Sequence, residues 1–72
     1  MFDYLVYENL CKEKGETTYQ VCKETGVQSA TIANWKKHSE TDGKSGYVPK
    51  ADKILLIAKH FGVPLENFIV QD

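Results

Sequence analysis

Apolar positions along this chain recur with helical spacing, and no stretch alternates long enough to make a strand. Phe2, Leu5, Val6 and Leu10 fall close to one face of an amphipathic helix, with Lys12 and Lys14 near its C-terminal end and Gly15 as its stop. Thr17 and Gln20 have the spacing of a capping box and predict a second, two-turn helix that runs through Val21 and Cys22 to Gly26. A helix that short is unstable alone and must pack on something. A third run, from Ser29 to Lys37, carries Ile32 and Trp35 on its apolar side, with Ala33 assigned beside them. Its other side shows Ser29, Ala30, Thr31, Asn34 and Lys37, short polar or small residues in place of the Glu/Lys mixture of a merely solvated face.

Residues 38–48 are polar, contain Gly43 and Gly46, and read as a loop. Pro49 suits the first turn of a fourth helix, in which Ala51, Ile54, Leu55, Ala58 and Phe61 mark the apolar face and Gly62 the end. Pro64 restarts the chain, and Leu65, Phe68 and Ile69 predict a last short helix. The expected fold class is all-α: five short helices in one domain spanning residues 1–72.

Length restricts function. With 72 residues there is room for one small core and for no dinucleotide fold or barrel. No apolar run approaches a membrane span, and the start lacks the basic and apolar regions of a secretory signal, so a cytoplasmic location is expected. Cys11 and Cys22, without a histidine at ligand spacing, read as free thiols and not as a zinc site. His38 and His60 read as surface residues, and Trp35 and Tyr19 as core. There is no paired-carboxylate arrangement, no nucleophile beside a histidine and no phosphate-binding glycine loop. Neither an enzyme nor a metal or other cofactor is expected.

The net charge of −1 argues against a nucleic-acid partner until it is divided along the chain. Residues 1–35 balance to −2, residues 36–59 to +3 and residues 60–72 to −2. The basic stretch contains Lys36, Lys37, Lys44, Lys50 and Lys53.

Residues 18–37 meet the steric demands of a helix-turn-helix. Cys22 is small where two helices cross, Gly26 tolerates a positive φ in the turn, Val27 plugs the core after it, and Val21, Ile32 and Trp35 supply the inner faces. The pattern Val21-Cys22-x3-Gly26-Val27-x4-Ile32-x2-Trp35 resembles the helix-turn-helix domain of phage Cro and repressor proteins, the lambda repressor-like family. Residues 50–57 together with Phe61, Gly62, Val63, Leu65 and Phe68 are similar to that family's fourth and fifth helices, so the resemblance extends over roughly residues 5–70.

The resemblance implies a sequence-specific binder of double-stranded DNA, a transcriptional repressor acting by operator occlusion. The second helix of the pair would enter the major groove. Ser29 and Ala30 would then face the bases with Asn34 one turn further on, flanked by Gln28 and Thr31. Thr18 at the start of the first helix of the pair and Lys37, Lys44 and Lys50 would meet phosphates. With no arginine in the chain, the bidentate arginine–guanine contact is missing, so Asn34 and Gln28 predict a preference for A·T pairs and Ala30 or Thr31 a thymine-methyl contact.

The chain departs from the family pattern at Gln28, where a small cap is usual, at Glu16, where an apolar residue is usual, and in the longer link at 38–48. Either that link points away from DNA, or Lys44, Tyr47 and Lys50 face the phosphates while Glu40 and Asp42 face solvent. Surplus apolar residues predict a protein contact: Leu56 or else Leu55, with Phe68, Ile69 or Val70. The simplest form is a homodimer through Leu56, Phe68 and Ile69 that matches a near-palindromic operator. An antitoxin or a protein-binding adaptor is the alternative, and the chain also fits the N-terminal part of a longer regulator.

Overall fold

The computed structural model describes residues 1–69. The chain folds into a compact all-helical body: α1 (Tyr4–Lys14), α2 (Thr18–Thr25), α3 (Ser29–Glu40) and α4 (Ala51–Phe61), followed by a 3-10 turn at Leu65–Phe68. Among the described residues there is no strand; Phe2 and Ile69 form one isolated antiparallel bridge. The expected fifth helix is therefore a single turn. Asn67 N donates to Pro64 O at 3.1 Å and Ile69 N to Glu66 O at 3.0 Å, the tighter i→i+3 pattern of a segment too short to propagate as an α-helix.

Local chemistry sets most boundaries. Asp3 caps α1 through its Oδ1, which accepts from Leu5 N at 3.0 Å. Phe2 therefore lies outside the helix. At α2 the capping box closes as expected: Thr17 N donates to Gln20 Oε1 at 2.9 Å, and Gln20 N donates to Thr17 Oγ1 at 3.2 Å. Gly15 and Gly62 end α1 and α4. Pro49 does not open α4; it is buried one residue before the extended N-cap, Lys50.

The core is built around an aromatic cluster. The Trp35 ring lies 5.6 Å from Tyr4, 5.8 Å from Tyr7 and 6.3 Å from Phe68, centroid to centroid. Tyr7 also meets Phe61 edge-on at 6.3 Å. Such pairs add about 0.5–1.5 kcal/mol each beyond their burial. This corrects the apolar stripe of α1. Tyr4 and Tyr7 are its buried residues, Val6 and Leu10 pack at the margin, and Leu5 is exposed, because the tyrosine rings reach Trp35 and fill that side of the core. Val21, Val27, Ile32, Ile54, Ile57 and Ala58 complete the interior.

The same cluster removes Phe68 from the expected dimer face. Phe68 is 0% exposed, buried against Trp35, so it has no surface to offer a partner; Ile69 is exposed, and Val70 lies outside the described residues. Both leucines of α4 are open, Leu55 at 40% and Leu56 at 41%. The two ends of the described chain are held together: Asp3 N donates to Phe68 O at 2.6 Å, and the Trp35 indole N–H donates to Phe2 O at 3.3 Å.

Glu16, polar where an apolar residue was expected, has a partner. Its Oε1 lies 2.8 Å from His60 Nε2, which ties the α1–α2 link to the end of α4. His60 is thus a half-buried bridging residue stacked edge-on to Phe61, and not a free surface histidine. No helix among the described residues is long and apolar enough to cross a membrane.

Candidate nucleic-acid interface

The segment from Thr18 to Lys37 is two helices joined by Gly26, Val27 and Gln28. Gly26 takes φ 79°, in the left-handed region, and donates its N–H to Cys22 O at 2.9 Å. The Thr25 hydroxyl donates to Val21 O at 2.7 Å and accepts from Val27 N at 3.2 Å, which drives Val27 into the core. Gln28 is the N-cap of α3 in extended conformation, yet its side chain makes no cap bond; the helix begins at Ser29 regardless. The Gln28 amide is exposed and uncommitted at the head of α3.

The start of α2 is anchored from below. Thr18 Oγ1 and Tyr7 Oη lie 2.8 Å apart. This turns the Thr18 hydroxyl toward the core, so any phosphate contact at that position falls to its backbone N–H. Burial pushes the Tyr7 phenol well above its ordinary range, with the Thr18 bond opposing that rise, so the ring is neutral. Burial likewise raises the Cys11 and Cys22 thiols, both free, which makes them protonated fillers and poor nucleophiles. Tyr19, expected in the core, is 74% exposed. Residues two apart on a helix point about 200° apart, so the burial of Val21 forces Tyr19 outward.

α3 presents a face in which two of the expected residues, Thr31 and Asn34, give way to Ala33 and Lys36. Ser29, Ala30, Ala33, Lys36 and Lys37 are exposed, while Thr31 and Asn34 are half-buried. Ala33 faces solvent and not the core. Asn34 Nδ2 donates to Ala30 O at 2.8 Å, so its amide is bonded to its own helix. Thr18, Ser29, Ala30, Ala33 and Lys36 line one shallow hollow between the starts of α2 and α3, together with Tyr4 and Ile32. Thr31 and Lys50 line a different one with Tyr47, Val48, Pro49 and Lys53. Lys37 is exposed further along α3, and Lys44 is exposed in the following loop. Ala33 was misplaced in the sequence because Ala33 and Asn34 lie at nearly equal angles from the side opposite Ile32 and Trp35.

The loop explains the choice. α3 runs to Glu40, three residues past its expected end, and the chain then folds back along the helix. Thr41 N and Oγ1 donate to Lys37 O at 3.0 and 2.8 Å, and Gly43 N donates to His38 O at 2.8 Å. Ser45 N donates to Thr41 Oγ1 at 3.0 Å, and Tyr47 N donates to Asn34 O at 3.2 Å. Gly46, at φ 71°, is pressed so close that a Cβ there would run into the Asn34 carbonyl oxygen and lie 2.9 Å from His38 N. The link does not point away from the molecule; it covers the Asn34–His38 side of α3. Asp42, Lys44, Tyr47 and Lys50 are all exposed along it.

Among the described residues no group of histidine, cysteine and carboxylate side chains has the arrangement of a metal site. No protein-family model matches the sequence, and no curated protein or solved structure matches it.

Proposed function

We propose that this protein is a sequence-specific double-stranded-DNA-binding protein of the helix-turn-helix kind, with α2 and α3 as the pair, and that it represses transcription by occluding an operator. The observation that carries the reading is the outward face of α3, where Ser29, Ala30 and Ala33 lead to Lys36 and Lys37, all exposed among the described residues. A helix with its side chains is about 10–12 Å across and the major groove about 12 Å wide, so small residues on the leading face let the backbone seat deeply. Lysines at the flank and the N-terminus of α2 then meet the phosphates on either side.

In this reading the Gln28 amide, free of cap duty, pairs with adenine, and the Ala30 and Ala33 methyls meet thymine methyls. Asn34 contributes less than the family resemblance implies, because its amide must first leave the Ala30 carbonyl. Few lysines face DNA and no arginine exists, so nonspecific affinity is weak and its salt dependence shallow.

Selection of binding sites from random duplex DNA tests the proposal. The expected result is a short site with A·T pairs at its centre of contact. A recognition core of G·C pairs alone would overturn the base assignments, and an empty selection would overturn DNA binding in favour of the protein-binding alternative.

A further inference from the structure

The outward side of α4 carries a pattern that DNA reading does not use. Asp52 and Lys59 are exposed seven residues apart, two turns or about 10.5 Å, and so lie on one line along the helix. Leu55 and Leu56 flank that line midway between them, each about two-fifths exposed. The inner side of the same helix, Ile54, Ile57, Ala58 and Phe61, already fills the core, so the exposed part of these leucines is left without an intramolecular partner among the described residues. Neither Asp52 nor Lys59 makes an ion pair among the described residues. The face is apolar at its centre, negative at one end and positive at the other.

That pattern is complementary to itself. We propose that a second copy of this chain docks here, α4 against α4 in antiparallel sense, about a two-fold axis passing between residues 55 and 56. The axis sets Leu55 against the partner's Leu56, and Asp52 against the partner's Lys59, each contact occurring twice. Charges at i and i+7 with leucines at i+3 and i+4 have the spacing of a seam between packed helices. A parallel arrangement would oppose like charges at both ends, so the charge pattern selects the antiparallel one. One helix face buries less than the roughly 800 Å² per partner of a standard interface, so the dimer of the free protein is weak and concentration-dependent. The inference rests on α4 alone and is independent of DNA binding by α3.

Charge exchange tests it without DNA. In sedimentation equilibrium of the full chain, the wild type associates reversibly to a dimer. Asp52→Lys alone and Lys59→Asp alone each oppose like charges twice and abolish that association. An equimolar mixture of the two single variants re-forms both opposite pairs and associates ~10-fold or more tightly than either alone. The double variant recovers self-association for the same reason. Circular dichroism confirms that each single variant is folded, since both changes oppose the helix dipole. The doubly substituted Leu55→Gln, Leu56→Gln chain is monomeric at every concentration. A wild type that remains monomeric at the highest concentration overturns the proposal, as does unchanged self-association in the single variants. An empty DNA selection alongside a charge-dependent dimer overturns the function proposed above and leaves this inference standing.

Discussion

The connection before α3 spans three residues and the one after it ten, and each depends on a glycine with positive φ. At Gly26 a Cβ would meet nothing within 4 Å; the residue is needed only for its backbone conformation. At Gly46 a Cβ would strike the backbone of α3 at Asn34 and His38. One glycine answers a local rule of turn geometry, the other a close approach between segments distant in sequence. The first turn is written in the residues that form it. The second is intelligible only once the loop is seen lying on the helix.

The largest effect is expected where the two glycines are substituted alike. Gly46→Ala combines left-handed strain with a backbone clash and should cost about 3 kcal/mol, whereas Gly26→Ala should cost about 1 kcal/mol from strain alone. Thermal unfolding followed by circular dichroism reads the difference, at about 4–8 °C per kcal/mol for a domain of this size. Equal losses would mean that the loop is not held on α3.

Smaller effects are expected on DNA affinity. Ala33→Glu puts a carboxylate on the open side of α3 and should weaken binding to the selected site ~30-fold, about 2 kcal/mol, with little change in stability. Asn34→Ala, on the side the loop covers, should weaken it by no more than about threefold. A reversed order would show that the loop swings off the Asn34 side when DNA binds.

A further effect concerns pH and probes the anchor of α2. Because burial raises the Tyr7 phenol above its ordinary value of 10, the folded state holds that proton more tightly than the unfolded chain. Stability is therefore whole below pH 10 and declines as pH rises beyond it. Tyr4 is raised in the same direction, chiefly by its own burial. Tyr7→Phe should cost about 1 kcal/mol at neutral pH by removing the Thr18 bond, and it should flatten the alkaline decline. Denaturant unfolding at a series of pH values checks both; an unchanged alkaline slope would place the titrating group elsewhere.

Much of this chain was legible before its structure. Asp3 lay unread, but the Thr17–Gln20 box, the stops at Gly15, Gly26 and Gly62, and the burial of Val21, Val27, Ile32 and Trp35 are where the residue pattern puts them. Errors arose where several apolar residues competed for limited interior. Leu5 lost its place to Tyr4 and Tyr7, whose rings reach Trp35, and Phe68 was drawn inside by the same indole. Glu16 looked anomalous because its partner, His60, is far along the chain.

The sequence by itself determined where the four α-helices lie, the capping box of α2, the glycine stops and the division of charge, because these depend on neighbours within about one turn. It also set aside membrane spans and large folds through length and hydropathy. Only the tertiary structure decided that Ala33 and not Asn34 stands open on α3, and that both leucines of α4 are left outside. Helical periodicity specifies the angle at which a side chain leaves its helix. Which of two equivalent angles is covered depends on how the rest of the chain returns, and here that is settled by a ten-residue loop bonded to α3 and by an aromatic core that leaves no room for Leu55 or Leu56.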